Sequence, residues 1–520
     1  MMYMTQALHR AVQQRPDQTA VRFGERTRTF REFADRVARL AGALQALGLQ
    51  PGGRVAMLAL NSDRYLEYQM AVPWAGGALN PCNTRWSAAE IAYSLEDSET
   101  TILLVDEALR ALVEPIRQQT TCLREIIYCG DAQLPPGMHG YEALIASHEP
   151  VPDAMRHGED LAGIFYTGGT TGFPKGVMLS HDNIVSSALA LAVEEVGPRD
   201  AVYLHAAPMF HLADMGVAGA HWVVGNTHSI LSAFSPEALL ETIERDRVTH
   251  VILVPTMIQM LVDHPAMRQP RDLSSLQMII YGASPMSEAV LDRAMEALPN
   301  VGFVQAYGMT ELSPLATVLP SRYHTKEGRK LGKMRAAGRA GACVEVRIVD
   351  HEGHEVPRGT VGEVIVRGPN VMQGYWNKPE LTAAAVRDGW MHTGDGAYMD
   401  EDGFIFVVDR LKDMIISGGE NIFSCEVENA LAQHPAVAAC AVIGIPSADW
   451  GETVHAAVVA KPGQQVAAEQ LIAHCKTLIA GYKCPRSVSF VEALPLSGAG
   501  KILKTALREP YWRDQLRQVS

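Results

Sequence analysis

Cysteine is sparse and scattered in this 520-residue chain: eight residues, at 82, 122, 129, 343, 425, 440, 475 and 484, with no C-x-x-C pair and no companion His-x-His set. That spacing argues against a zinc site or a disulfide framework and suits a reducing cytosol. Long apolar runs are missing as well. The longest uncharged, apolar-leaning segment, Met215 to Leu231, contains His221, Asn226, Thr227 and His228 and reads as a buried helix and strand, not a membrane span. The chain has no run of Lys and Arg, and its formal net charge of −13 argues against a general nucleic-acid binder. Anionic ligands must then be held by local cations and backbone N–H groups. The N-terminus, MMYMTQALHRAVQQRPDQ, lacks a charged region followed by an apolar core, so no signal peptide is expected. With 47% hydrophobic and 20% charged residues the composition is that of a globular protein, and the length predicts two or three domains.

What is present is concentrated between Tyr166 and His181, YTGGTTGFPKGVMLSH. Gly and Thr fill six of the seven positions from Thr167 to Phe173, leaving N–H groups bare and adding hydroxyls, and Lys175 follows. This is an anion cradle with a cation beside it. Ile164 to Tyr166 read as the end of a buried strand, and Val177 to Leu179 as the start of a returning one. A Walker loop instead joins strand to helix and places Gly before its Lys, where this chain has Pro174, so the ordinary P-loop reading is rejected.

Along the chain, apolar positions from Met4 to Leu49 recur at helical spacing, most clearly from Phe33 to Leu47, and predict an amphipathic helix. Strands are expected at Val55–Leu60, Thr101–Val105, Glu125–Tyr128, Val251–Val254, Met278–Ile280 and Phe404–Val408, with a helix at Tyr65–Ala78. Val344, Val346 and Ile348 alternate with polar residues, and Val364 to Val366 return, as in a small antiparallel unit. From 411 onward a smaller domain is predicted: a helix from Ser424, with Ser424 as N-cap, strands at Ala438–Gly444 and His455–Ala460, a helix through Ala467–Ile479 and a strand at Ser487–Val491. Alternating strands and helices predict a layered α/β architecture.

The run from Thr167 to Val177 resembles the phosphate loop of the adenylate-forming superfamily, and further matching motifs follow in family order: QAYGMTE at 305–311, GYW at 374–376, GWMHTGD at 389–395, DRLKD at 409–413, SGGENIF at 417–423 and LPLSGAGKILK at 494–504. The resemblance implies a large multi-layer N-terminal domain of β-sheets flanked by helices (1–410), which binds ATP and the acyl group, and a small mobile α+β C-terminal domain (411–520). It implies that Thr167, Gly168, Gly169, Thr170, Thr171, Gly172 and Lys175 hold phosphates and that Gly282, Ala283 and Ser284 lie against adenine. Tyr307 would stack on the base, Thr310 would touch a phosphate oxygen, and Glu311 would hold Mg²⁺. Asp395 would accept from the ribose hydroxyls and Arg410 would contact ribose and phosphate. Lys412 would be the hinge, Gly418 and Gly419 would let the pantetheine arm of CoA pass, and Lys501 would act in adenylation. Phe210, His211, Met215 and Gly308, with Met209 and Trp222 nearby, are acyl-pocket candidates.

The implied activity is an ATP-dependent carboxylic acid:CoA ligase working through an acyl-AMP. Between Phe210 and Leu231 there is no Lys or Arg to neutralise a second carboxylate, which weighs against dicarboxylates. Amino-acid-activating relatives place an aspartate where this chain has His211; Asp214 lies three residues further on. Medium- or long-chain fatty acids are the first expectation and aryl or arylpropenoic acids the second. Loading of a carrier protein, luciferase-like oxygenation and a non-catalytic nucleotide-binding scaffold are the alternatives. The expected partners are the acid, ATP and CoA, in the cytoplasm, with no nucleic acid and no integral membrane segment; a homodimer is compatible with the sequence.

Overall fold

The computed structural model describes residues 2–167, 174–194, 196–284, 286–410, 413–418, 420–447, 449–496 and 502–513, without the side chain of Asn421. Gly168, Gly169, Thr170, Thr171, Gly172, Lys412, Gly419 and Lys501 lie outside the described residues.

Apolar strands such as His250–Leu253 and Met278–Gly282, buried along almost their whole length, can be accommodated only inside a layered parallel sheet. They do so here. Thr227–Ile230, Val202–His205, His250–Leu253, Met278–Gly282 and Gly302–Tyr307 are successive parallel neighbours in a nine-stranded sheet. A second sheet runs Gly374–Tyr375, Lys175–Ser180, Leu161–Thr167, Ala78–Pro81, Arg54–Leu58, Ile102–Val105, Glu125–Tyr128, His139–Gly140. A third, antiparallel sheet contains Glu345–Val349, Gly362–Arg367, Trp390–Met399 and Ile405–Arg410, with Val346 opposite Val366 and Ile348 opposite Val364 as the alternation predicts. The smaller domain has its own sheet, including Val437–Ser447 and Gly451–Ala460, and its own core, in which Ile415, Ile422, Val427 and Leu431 meet Val454 and Leu471. Among the described residues no helix is long and apolar enough to cross a membrane. The segment Met215 to Leu231 is the rest of helix Leu212–Val224 and the strand Thr227–Ile230.

Two expectations change. The segment from Met4 to Leu49 is two helices, Gln6–Gln14 and Phe30–Ala46, separated by the hairpin Thr19–Phe23/Arg26–Thr29. Pro16 cannot continue the first helix, Gly24 turns the chain at φ 56°, and Thr29 opens the second helix in a capping box with Glu32. The helical period at Phe33 to Leu47 is real but does not extend upstream. In the small domain, Ser424 is not the N-cap of helix Ser424–Ala432 but its first residue; Phe423 precedes it without a side-chain cap bond. The amide and hydroxyl of Ser424 instead both donate to Asp409 Oδ2, the amide at 2.7 Å, so an aspartate from outside the small domain supplies the missing acceptor.

Candidate active site

Parallel strands deliver the loops that follow them to one edge of the sheet, where ligands of open α/β folds bind. Val202–His205, Met278–Gly282 and Gly302–Tyr307 therefore bring the 206–211 segment, the Ala283–Ser284 turn and the Thr310–Leu312 turn to the same edge of the nine-stranded sheet. Ala283 adopts φ 67°, a left-handed conformation that costs an alanine roughly 1 kcal/mol. A Cβ on Gly282 would lie 2.2 Å from the Ala306 carbonyl oxygen, and one on Gly308 would lie 1.9 Å from that of Pro314. Both glycines are thus required by neighbouring backbone, independently of any ligand.

The second sheet adds the phosphate-loop strands. Leu161–Thr167 and Lys175–Ser180 pair antiparallel with Thr167 opposite Lys175, the predicted strand–loop–strand, and Tyr166 is fixed by donating to Asp97 Oδ2 at 2.6 Å. The short strand Gly374–Tyr375 pairs with the same strand as Lys175, Tyr375 opposite Val177, and Met372 N donates to the Glu311 carbonyl at 2.9 Å. Glu311 is buried, and its Oε1 accepts from Tyr375 Oη at 2.9 Å. Lys175 Nζ stands over the Tyr375 ring, 5.0 Å from its centroid.

The third sheet contributes Asp395 and Arg410, which face each other across Trp390–Met399 and Ile405–Arg410 with Arg410 Nε 3.5 Å from Asp395 Oδ1. Tyr307 Oη donates to Asp395 Oδ2 at 2.7 Å, joining the first sheet to the third. Burial, and then the Asp395 carboxylate, push the Tyr307 phenol well above its usual range, so it stays a neutral donor. Burial and Glu311 do the same to Tyr375.

Among the expected acyl-pocket residues, His211 occupies the N-cap position of helix Leu212–Val224 in extended conformation without a side-chain cap bond, its ring centroid 4.2 Å from that of Phe210. Met209, Phe210 and Met215 are buried beside it. Asp214 is fully buried and already engaged: Tyr203 Oη donates at 2.9 Å to one oxygen, and His205 Nδ1 lies 2.7 Å from the other. Trp222, in the last turn, stacks on His228 at 4.0 Å and on Phe33 at 5.4 Å, so it is core rather than pocket wall. Asn61 went unnoticed in the sequence. Its amide nitrogen donates to the carbonyl of Ala207 at 2.9 Å, and its oxygen accepts from Met209 N at 2.8 Å, splinting the segment that leads to Phe210. A polar residue just after a buried strand was its only signal.

In the small domain, Gly418 takes φ 61°, and a Cβ there would meet the Trp450 ring at 2.6 Å. Trp450 is half-exposed beside it.

A large α/β domain whose three sheets supply a phosphate-loop hairpin, a Thr-Glu turn and an Asp–Arg pair, followed by a small α+β domain, defines the adenylate-forming class of enzymes. The chain belongs to the AMP-binding enzyme family: the family profile matches residues 8–376, and that of the AMP-binding enzyme C-terminal domain matches 426–501. It is 41% identical to a feruloyl-CoA synthase from Amycolatopsis sp over 95% of this chain and 96% of that protein. It is 36% identical to the fatty acid–acyl-carrier-protein ligase ScoC of Streptomyces coeruleorubidus over 98% of this chain and 96% of that protein. Among solved structures, an anthranilate CoA ligase, AuaEII, in complex with anthranoyl-AMP superposes with a TM-score of 0.90 at 27% identity, covering 98% of this chain and 97% of that one.

Proposed function

We infer that the protein is an AMP-forming carboxylic acid:CoA ligase. The observation that carries the reading is that the segment from Tyr307 to Glu311 meets both other sheets, Glu311 through Tyr375, whose ring lies under Lys175, and Tyr307 through its bond to Asp395. Lys175 and the loop from Thr167 to Gly172 hold the β- and γ-phosphates. Asp395, oriented by Tyr307, accepts from the ribose hydroxyls, and Arg410 reaches ribose and phosphate. Gly282 to Ser284 flank the adenine. The acid's carboxylate oxygen attacks the α-phosphorus, the bond to the β-phosphate oxygen breaks, and pyrophosphate leaves. Lys501 neutralises charge at the reacting oxygens. Catalysis of this kind consists of positioning plus electrostatic stabilisation.

The residues fit Mg²⁺ on ATP, which takes one or two protein carboxylates and otherwise phosphate and water oxygens. One oxygen of Glu311 is held by Tyr375, and the other, Oε2, accepts no hydrogen bond among the described residues. When bound, the cation would neutralise phosphate charge.

The small domain, taken from residue 411, then turns about Lys412. Gly418 and Gly419 line the approach of CoA, whose thiolate attacks the acyl carbonyl and expels AMP. Asp409 and Ser424 stand on opposite sides of that hinge, so the bond between them belongs to one orientation only.

The acid is a monocarboxylate with an apolar body, because the segment from Phe210 to Leu231 offers no Lys or Arg for a second carboxylate and Asp214 is spent on Tyr203 and His205. Medium- or long-chain fatty acids remain the first reading. The relationship to a feruloyl-CoA synthase favours arylpropenoic acids as the second, and that to ScoC keeps transfer to a carrier protein as the alternative acceptor. ATP and CoA as co-substrates imply a cytoplasmic enzyme, and a homodimer is compatible with this reading. The test is AMP and acyl-CoA formation across acetate, decanoate, palmitate, benzoate, cinnamate, ferulate and malonate. A maximum on a fatty or aryl monocarboxylate with CoA consumed supports the reading; pyrophosphate without CoA consumption gives the reaction to a carrier protein.

A further inference from the structure

We propose that Tyr375 is a positioning residue that keeps the Glu311 carboxylate and the Lys175 ammonium apart and separately satisfied, and so sets how strongly the nucleotide site responds to Mg²⁺. The proposal rests on the reading of Glu311 as the Mg²⁺ carboxylate and Lys175 as the phosphate cation.

The Tyr375 side chain meets the two groups in different ways. Its hydroxyl donates to Glu311 Oε1 at 2.9 Å, and its ring presents a face to Lys175 Nζ, 5.0 Å from the centroid. That distance is within the range of a cation–π contact. A buried carboxylate with an ammonium across one aromatic ring has an obvious alternative, a direct ion pair, which nucleotide binding would have to break. Among the described residues neither Lys175 nor Glu311 enters an ion pair. With Tyr375 interposed, the carboxylate keeps one oxygen oriented and the ammonium keeps its charge for phosphate.

The backbone around Tyr375 is built to hold that position. Tyr375 N donates to Thr382 Oγ1 at 2.9 Å, Trp376 N to the Gly176 carbonyl at 2.8 Å, and Trp376 Nε1 to the Asp97 carbonyl at 2.7 Å. The ring is therefore anchored to the strand that bears Lys175, while Met372 N is bonded to Glu311 itself through its carbonyl. Tyr375 is buried, and the hydrogen bond of its hydroxyl is to Glu311.

The test is equilibrium binding of α,β-methylene-ATP, measured by calorimetry in excess MgCl₂ and again in EDTA, with melting temperatures recorded for every variant. Tyr375→Phe retains the ring and removes the hydroxyl. It should bind the nucleotide in EDTA as the native protein does, while the gain in affinity on adding Mg²⁺ shrinks roughly tenfold, the size of a hydrogen bond to a charged group. Tyr375→Leu removes the ring too and should weaken binding in EDTA as well, since Lys175 can then pair with Glu311. Glu311→Gln is the control for the underlying reading and should abolish most of the Mg²⁺ gain. A native-like Mg²⁺ gain in Tyr375→Phe together with its loss in Glu311→Gln overturns the role of Tyr375 alone. Equal weakening of Tyr375→Phe with and without Mg²⁺ also overturns it, reducing the residue to a structural one. A native-like gain in both variants removes Glu311 as the metal carboxylate, and the proposal with it.

Discussion

Asp214 shows how one buried side chain can already be committed to its neighbours. A carboxylate in the first turn of helix Leu212–Val224 would suit an ammonium group, yet both its oxygens are taken by Tyr203 and His205 in a fully buried cluster that continues from His205 Nε2 to His228 Nδ1 at 2.9 Å. Removing one member leaves the others buried without their partner, so Asp214→Ala should lose about 3–5 kcal/mol in urea unfolding, and no gain of amino-acid activation should accompany it. A loss under 1 kcal/mol would mean that solvent or another group replaces the carboxylate. In the sequence, Asp214 was visible as displaced from the amino-acid-binding position; its partners were not, because strand Val202–His205 and helix Leu212–Val224 meet only through the fold. The glycines differ in the same way. Gly282 was expected against adenine and Gly308 in the acyl pocket, and each also lies against a carbonyl of a neighbouring strand or turn that leaves no room for a Cβ. Gly308→Ala should displace the Thr310–Leu312 turn and raise the KM for ATP at least several-fold, with overpacking costing about 1–3 kcal/mol; an unchanged KM would show that this turn does not serve the nucleotide.

Elements were legible where their periodicity was local. The buried strands at 102–105, 125–128, 250–253 and 278–282 lie within a residue or two of where runs of Ile, Leu and Val placed them. The hairpin at 19–29 was missed because its alternation, T-A-V-R-F against R-T-R-T, is short and lies beside a long helical pattern that dominates a wider window. The cap of helix Ser424–Ala432 was misplaced because its acceptor, Asp409, is remote in sequence. Buried histidines on these elements give the fold a pH dependence. Burial lowers His221 and His228 well below their usual range and brings His181 and His250 to about 4. The unfolded chain, with histidines near 6.5, takes up protons that the folded one refuses, so stability is full above about pH 6.5 and declines as pH falls below it. Melting temperature should therefore drop between about pH 7.5 and 5.5, and a flat profile would contradict the neutral assignment.

At the scale of the whole molecule, hydrogen bonds join the large domain to the small one. Asp409 accepts from Ser424, and Gln259 Nε2 donates to the Ala438 carbonyl at 2.6 Å, while within the small domain Lys504 reaches Ser424 and Glu428. Burial alone would lower the Lys504 ammonium, but Glu428 and Asp409 more than offset it and keep it charged. If rotation about Lys412 separates the half-reactions, Ser424→Ala should change the rate of one half-reaction, acyl-AMP formation or thioester formation from supplied acyl-AMP, several-fold more than the other. Equal effects on both would remove the bond as a conformational latch. Lys501→Ala should cripple acyl-AMP formation while sparing the thioester step, because its charge is needed only where the phosphoryl oxygens react. The central claim, that the acid is activated by direct attack on the α-phosphorus, is tested most directly by supplying an accepted carboxylic acid labelled with ¹⁸O in both carboxylate oxygens, with ATP and CoA, and weighing the products. The account predicts AMP carrying a single ¹⁸O, formed in equal amount with acyl-CoA and unlabelled pyrophosphate. Label appearing in inorganic phosphate alongside ADP, or AMP without label, would contradict it.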